Sequence, residues 1–255
     1  KKCPSCGSKT IKEFNNITKK EDAVRRCSSE GYECEKIAIE KLKHFVSKDA
    51  FNIEGFGKKI VEKFWNLNLI KLPHHIFNLD FDKIENLEGW GKQSVENLKY
   101  SINQRKNISL ERLIYSLGIR HIGLENAKIL SKYFKSFSKF ISFSNEVILD
   151  DILNIDGIGE TQLDSVKNFF DNKVNLNILR ELQKILEVKD AEIKNKDGLL
   201  NEKTFMVTGK LKGISRAEVK SLIEENSGTS VSTVTKKLNY LITGEKPTKK
   251  KVDKA

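Results

Sequence analysis

A short phrase recurs along this chain and limits what the chain can fold into. It reads Ile53-Glu54-Gly55-Phe56-Gly57-Lys58-Lys59, then Leu87-Glu88-Gly89-Trp90-Gly91-Lys92-Gln93, and again Ile155-Asp156-Gly157-Ile158-Gly159-Glu160-Thr161. A looser version, Leu117-Gly118-Ile119-Arg120-His121-Ile122-Gly123, lies between the last two. The closing glycines fall at 57, 91, 123 and 159, so the spacing is 34, 32 and 36 residues. Self-similarity at that period indicates one supersecondary unit used repeatedly. Glycine lets the backbone turn sharply and come close to another molecule. Apolar residues resume at helical spacing after each phrase: Ile60, Val61 and Phe64; Val95 and Leu98; Ala127, Ile129 and Leu130; Leu163 and Val166. A further apolar stretch precedes each, as Leu110, Leu113, Ile114 and Leu117 precede the looser copy. Each copy therefore reads as helix, short hairpin, helix. The unpaired amides that open the second helix suit a phosphate.

The copies differ in charge. Lys58 and Lys59 follow the first glycine pair, and Lys92 with Gln93 follow the second. The looser copy carries Arg120 and His121 inside the hairpin, although its glycines are set wider apart. The last has Asp156 before and Glu160 after, with no cation beside it, and is expected to support the fold more than to bind. The chain as a whole has a formal charge of +11, a balance that points to nucleic acid. That excess lies at the two ends. Residues 49–190 hold 20 basic and 20 acidic side chains, against 12 and 7 before them and 14 and 8 after. Any anion held by the repeat region is thus expected to rest on backbone dipoles and a few placed cations.

With 255 residues the chain has room for two or three domains. No apolar run approaches the ~20 residues that a spanning helix needs, and no signal peptide is present. A cytoplasmic protein is expected, with no membrane partner. The first residue is Lys1, which suggests a start internal to a longer chain.

All four cysteines, Cys3, Cys6, Cys27 and Cys34, fall in the first 34 residues. Lys1-Lys2-Cys3-Pro4-Ser5-Cys6-Gly7 has the form of a tight knuckle, in which turning amides can face two thiolates. Four thiolates suit a closed, tetrahedral, structural Zn²⁺ site, which would leave that module about two charges more negative. Disulfides in a secreted protein are the competing account. The missing signal peptide, and the absence of cysteine from the other 221 residues, favour zinc. The wide Cys27–Cys34 spacing makes Cys34 the least regular ligand.

Other chemistry is thin. His74 and His75 after Pro73 read as a loop, and Asp80 and Asp82 as a solvated turn. Trp65, Trp90 and Tyr115 read as core, and Ser109 as the cap of a helix containing Arg112. Residues 189–200 lose periodicity and read as a linker. A strand is expected over Thr204–Leu211, then a helix capped by Ser215 and ended by Gly228. Further strands are expected at 231–234 and 240–244, and a helix opening at Lys249.

These motifs resemble known modules. The glycine phrases resemble the helix-hairpin-helix motif, whose amides hold backbone phosphates without reading bases, and four copies would make two pairs. The last block resembles a BRCT domain that stops at Ala255, short of its final strand and helix. In some BRCT relatives the strand-end Thr-Gly and a lysine hold a phosphate, which would here be Thr208, Gly209 and Lys250. The order of modules resembles the C-terminal half of a bacterial NAD-dependent DNA ligase. The wording Cys3-Pro4-Ser5-Cys6-Gly7, His44-Phe45-Val46-Ser47 and Phe205-Met206-Val207-Thr208-Gly209 carries the resemblance further.

The resemblance implies a mainly α, multi-domain chain. Its parts would be a four-cysteine zinc-finger module over 1–36, a four-hairpin DNA-binding domain over 37–188, the linker, and an incomplete α/β BRCT-like domain over 201–255. It implies structural zinc on Cys3, Cys6, Cys27 and Cys34. It also implies a grip on nicked duplex DNA, for sealing in replication and repair. The contacts would be Gly55, Gly57, Lys58, Lys59, Gly89, Gly91, Lys92, Gln93, Arg120, His121, Gly123, Gly157 and Gly159. NAD and Mg²⁺ would belong to the full-length ligase, whose adenylated lysine sits in a Lys-x-Asp-Gly motif of an N-terminal nucleotidyltransferase domain. The nearest string here, Asn195-Lys196-Asp197-Gly198, lacks the intervening residue, so this chain is expected to be inactive alone. Two rival readings are a hairpin module of a non-ligase repair complex and a BRCT-based phosphoprotein scaffold.

Overall fold

Helical periodicity becomes a continuous core in the computed structural model. It describes every residue except 16–18, 30, 145–157, 192–197, 210, 213, 215, 232–233, 235–237 and 255. The chain divides into two compact units, Lys1–Ala191 and Glu192–Ala255.

The first unit opens with two short antiparallel ribbons. β1 (Thr10–Ile11) pairs with β4 (Arg26–Cys27), and β2 (Phe14–Asn15) with β3 (Lys20–Glu21). α1 (Glu35–Phe45) follows with Cys34 as its N-cap, and buries Ala38, Leu42 and Phe45 on one face. The helices around the glycine phrases come next: α2 (Lys58–Asn66), α3 (Phe81–Glu85), α4 (Lys92–Gln104), α5 (Leu110–Ser116), α6 (Leu124–Phe134) and α7 (Phe137–Ile141). α8 (Glu160–Asp171) and α9 (Lys173–Ile185) complete the set. One apolar cluster runs through all of them, from Ala38 to Leu186. Phe45, Phe51 and Phe77 form one aromatic knot, and Phe134, Phe140, Phe143 and Phe170 another. Each such ring contributes about 1.5–3 kcal/mol by leaving water.

Two long-range ties close this unit. β5 (Asn107–Ser109) pairs in parallel with β6 (Glu187–Lys189), so the strand leaving α9 returns to the middle of the chain. Arg112 reaches from α5 to the carbonyl oxygens of Ala50 (2.8 Å) and Lys48 (2.9 Å), bracing the turn before the first phrase. Ser109 does stand at the N-cap of α5, but its hydroxyl makes no capping bond. Asp80 caps α3, accepting from the Lys83 amide. Trp65 is buried, and Trp90 and Tyr115 pack half-buried against the core.

The second unit is a parallel sheet of order β8-β7-β9. It is formed by β7 (Thr204–Thr208), β8 (Thr229–Ser230) and β9 (Tyr240–Thr243), with α10 (Arg216–Glu225) crossing between β7 and β8. α11 (Lys249–Val252) follows. Phe205, Val207 and Ile223 form its core, with Leu200, Val219 and Ile242 against them. The second strand lies at 229–230, and residues 232–233 of the strand expected over 231–234 lie outside the described residues. Ser227 at φ 70° ends α10, and the Thr229 amide then bonds the Lys203 carbonyl (2.8 Å), which sets the register early. Ser215 lies outside the described residues.

His74 and His75 sit on a 3-10 turn (Pro73–Asn78) packed against α9, instead of in an open loop. His74 is only 8% exposed and its Nδ1 has no partner, while His75 Nδ1 accepts from the Lys71 amide (3.2 Å). Burial lowers both pKa values below the ordinary 6.5. The unfolded chain therefore takes up these protons first. Folding free energy is fully retained above pH 6.5 and declines as pH falls through that value. Urea unfolding at stepped pH is expected to show that decline, and His74→Leu to flatten it.

Candidate metal centre and nucleic-acid interface

The ribbons and α1 bring four thiols together from residues far apart in sequence. The Sγ atoms of Cys3, Cys6, Cys27 and Cys34 all lie within 4.8 Å of one another. Cys6 and Cys27 are 3.4 Å apart and Cys3 and Cys34 are 4.0 Å apart. A disulfide needs about 2.05 Å, so none is formed. Four sulfurs placed tetrahedrally at about 2.3 Å from one ion would stand ~3.8 Å apart. The donor set therefore fits a single tetrahedral metal ion. Local groups favour the thiolate at two of the four: the Ser29 and Ser8 hydroxyls pull Cys6 down to about 5, and the amides of Cys6 and Ser5 lower Cys3, whereas burial and the neighbouring Cys6 and Cys3 thiols raise Cys27. Cys34, irregular in spacing, is the buried member and caps α1.

The glycine phrases share one geometry. The closing glycine of each, Gly57, Gly91, Gly123 and Gly159, is the N-cap of the helix that follows. In three copies the turn closes by the same bond, from Phe56 to the Ile53 carbonyl (3.2 Å), Trp90 to Leu87 (3.0 Å) and Ile122 to Ile119 (3.1 Å). Two residues before the N-cap the backbone is left-handed, at Gly55 (φ 77°) and Gly89 (φ 82°). In the looser copy His121 (φ 58°) fills that slot. Spacing alone pairs Gly118 with Gly123; the structure instead aligns Ile119-Arg120-His121-Ile122-Gly123 with Ile53-Glu54-Gly55-Phe56-Gly57. Gly118 (φ 61°) corresponds to Asn52 (φ 51°), ahead of the turn. Aligning Ile119 with Ile53 was the signal available in the sequence. Gly157 and Asp156 lie outside the described residues, although Ile158 is buried like Phe56 and Ile122.

The phrases leave their backbone accessible. A Cβ added at Gly57, Gly91 or Gly123 would meet nothing within 4 Å. The Gly91 amide donates to Ser94 Oγ (3.0 Å) and the Gly159 amide to Gln162 Oε1 (3.2 Å), while those of Gly57 and Gly123 have no partner among the described residues. Lys58, Lys59, Lys92 and Gln93 are exposed in the first turns of α2 and α4, which carry no acid there. None of these lysines is in an ion pair among the described residues. Cations at the positive end of a helix dipole are unfavourable alone, by ~0.3–1 kcal/mol each. A bound anion reverses that balance. Arg120, by contrast, is paired with Glu13 of the cysteine module and donates through Nε to His121 Nε2 (3.0 Å). Periodicity gave no sign of Glu13.

In the second unit Thr208 and Gly209 end β7. The Thr208 hydroxyl is buried and accepts from the Thr248 amide (3.2 Å). Gly209 has φ 85°, and a Cβ there would lie 2.8 Å from the Gly244 carbonyl oxygen. Lys250, two residues past Thr248, is exposed on α11. No helix among the described residues is long and apolar enough to cross a membrane.

Comparison with known families identifies both units by class. Residues 112–179 match the helix-hairpin-helix motif family, and residues 195–255 match the BRCA1 C Terminus (BRCT) domain family. Over 254 residues, 100% of this chain, it is 65% identical to a DNA ligase of Pelagibacter ubique (strain HTCC1062), of which it covers 38%. It is 39% identical over 251 residues to a DNA ligase of Wolbachia pipientis wMel, covering 96% of this chain and 37% of that protein. It is 37% identical over 247 residues to a DNA ligase of Sulfurihydrogenibium sp. (strain YO3AOP1), covering 97% and 33%. The chain is therefore similar to DNA ligases over nearly its whole length, and it spans little more than a third of the curated relatives it matches.

Proposed function

We propose that this chain is the DNA-gripping portion of an NAD-dependent DNA ligase. It holds nicked duplex by its backbone phosphates while a nucleotidyltransferase domain performs the chemistry. The observation that carries this reading is the repeated N-cap glycine with open backbone, followed in two copies by first-turn lysines that form no ion pair among the described residues. All four phrases act as helix-hairpin-helix motifs. Those at Gly55–Lys59, Gly89–Gln93 and Arg120–Gly123 bear the DNA, and that at Gly157–Gly159 mainly supports the fold, since Glu160 opens its helix where the first two copies place lysine. Amide contacts of this kind fix position without reading sequence.

Cys3, Cys6, Cys27 and Cys34 hold a structural Zn²⁺, which when bound offsets half the charge of their crowded thiolates and joins the first ribbon to α1. NAD and Mg²⁺ serve the full-length enzyme. No Lys-x-Asp-Gly string occurs in this sequence, so the chain alone adenylates nothing. A phosphoprotein seat on Thr208, Gly209 and Lys250 gains no support from a hydroxyl buried against the Thr248 amide.

Binding to fluorescent nicked duplex across a salt series tests the reading. Affinity is expected to fall steeply with salt, and Gly57→Val with Gly91→Val to remove most of it, because side chains there shield the amides without steric conflict. Binding that survives both substitutions would overturn the hairpin grip, and nick sealing by the chain alone would overturn its non-catalytic assignment. Glu13→Gln frees Arg120 from its carboxylate. An exposed pair of this type is worth ~0.2–1 kcal/mol, so affinity is expected to rise up to ~5-fold in the same assay.

A further inference from the structure

A groove of about 550 Å³ runs along α1 beside the third phrase. Lys36, Ile37 and Lys41 of α1 line it together with Gly118, Ile119 and Ile122 of the third phrase. Its charge is one-sided. Glu40 also borders it, but its carboxylate is held by Lys43 (2.6 Å), which bonds Glu62 as well (2.7 Å). Lys36 and Lys41 have no carboxylate partner among the described residues. The Lys41 ammonium lies 5.2 Å from the centre of the Tyr32 ring, and burial lowers its pKa. A cation drawn partly out of water without a counter-charge is costly, and an anion seated beside it offsets that cost. Two of the groove residues, Ile119 and Ile122, flank the exposed Arg120 and His121, so the groove continues directly from the third hairpin.

We propose that this groove holds the sugar-phosphate backbone of the DNA strand next to the third hairpin. Lys36 and Lys41 take its phosphates, and Ile37, Ile119 and Ile122 face the deoxyribose. This rests on the reading of the chain as a duplex grip and extends the grip from the hairpins to the outer face of α1. The occupant is a polymeric phosphodiester, because the cations are two, spaced five residues along one helix, and share an apolar floor with a hairpin.

The test is a salt titration of nicked-duplex binding by the full chain and by Lys36→Gln/Lys41→Gln. Every phosphate that a variant no longer neutralises makes the slope of log affinity against log salt shallower by ~0.9. The double variant is therefore expected to lose about 1.8, and its charge-retaining counterpart, Lys36→Arg/Lys41→Arg, almost nothing. Lys41 packs near the cysteine module, so Lys36→Gln alone, at an exposed position, serves as the variant with no folding role and is expected to lose ~0.9. An unchanged slope in both glutamine variants, with binding still abolished by Gly57→Val and Gly91→Val, overturns this inference and leaves the hairpin grip standing. Failure of the parent chain to bind duplex overturns both.

Discussion

Cys27→Ser is expected to abolish tight metal binding and to unfold the first thirty or so residues while the helical core stays intact. The reason lies in how little else holds that segment. Its strands are two residues long, and the large apolar cluster begins only at Ala38. Ile11, Phe14 and Val24 are exposed, at 41%, 56% and 58%, so burial contributes little there. A structural zinc in a small module contributes ~10–16 kcal/mol near neutral pH, which outweighs every other term available to these residues. Cys27 is one of four donors and also the end of β4, so its loss removes a ligand and unpins the ribbon. Metal stoichiometry should fall from one per chain to none, and amide exchange over residues 1–29 should lose its protection. Protection that persists in the metal-free variant would show that the ribbons stand without the ion.

Lys58→Glu with Lys59→Glu should move stability and binding in opposite directions. Both lysines lie in the first turn of α2, where the dipole disfavours cations and no acid shares that turn. Reversal is expected to stabilise the fold by ~0.3–1 kcal/mol per site at low salt. The gain at Lys59 is reduced by ~0.2–0.5 kcal/mol because the new acid faces Glu62 three residues on. Duplex affinity, in contrast, should drop at least ~10-fold and the salt slope should become shallower by ~1.8. Thermal unfolding and anisotropy on one preparation read both. A variant that is less stable and binds as before would make the lysines ordinary solvated charges.

Much of this was legible because its physics is local. Glycine at a hairpin, an N-cap before a resumed helical period, and two close cysteines act within a few residues, and the first two phrases fold as their letters suggest. What depends on distant partners was not. Gly118 lies against the ring of His44 from α1, a contact that no local pattern announces. Glu13 meets Arg120 across 107 residues. The pairing of Thr229–Ser230 with β7 likewise joins segments on either side of α10.

By itself, then, the sequence determined the repeating helix–turn–helix unit, four thiols with the spacing of a metal site, and a repeat region without net charge. These follow from backbone freedom, spacing and titratable groups counted along the chain. The tertiary structure alone decided which cations are free. Packing pairs Arg120 with Glu13 and Glu40 with Lys43, yet leaves Lys36, Lys41, Lys58, Lys59 and Lys92 without carboxylates among the described residues. A charge acts according to its nearest opposite charge and its distance from water, and both are set only when the chain has folded.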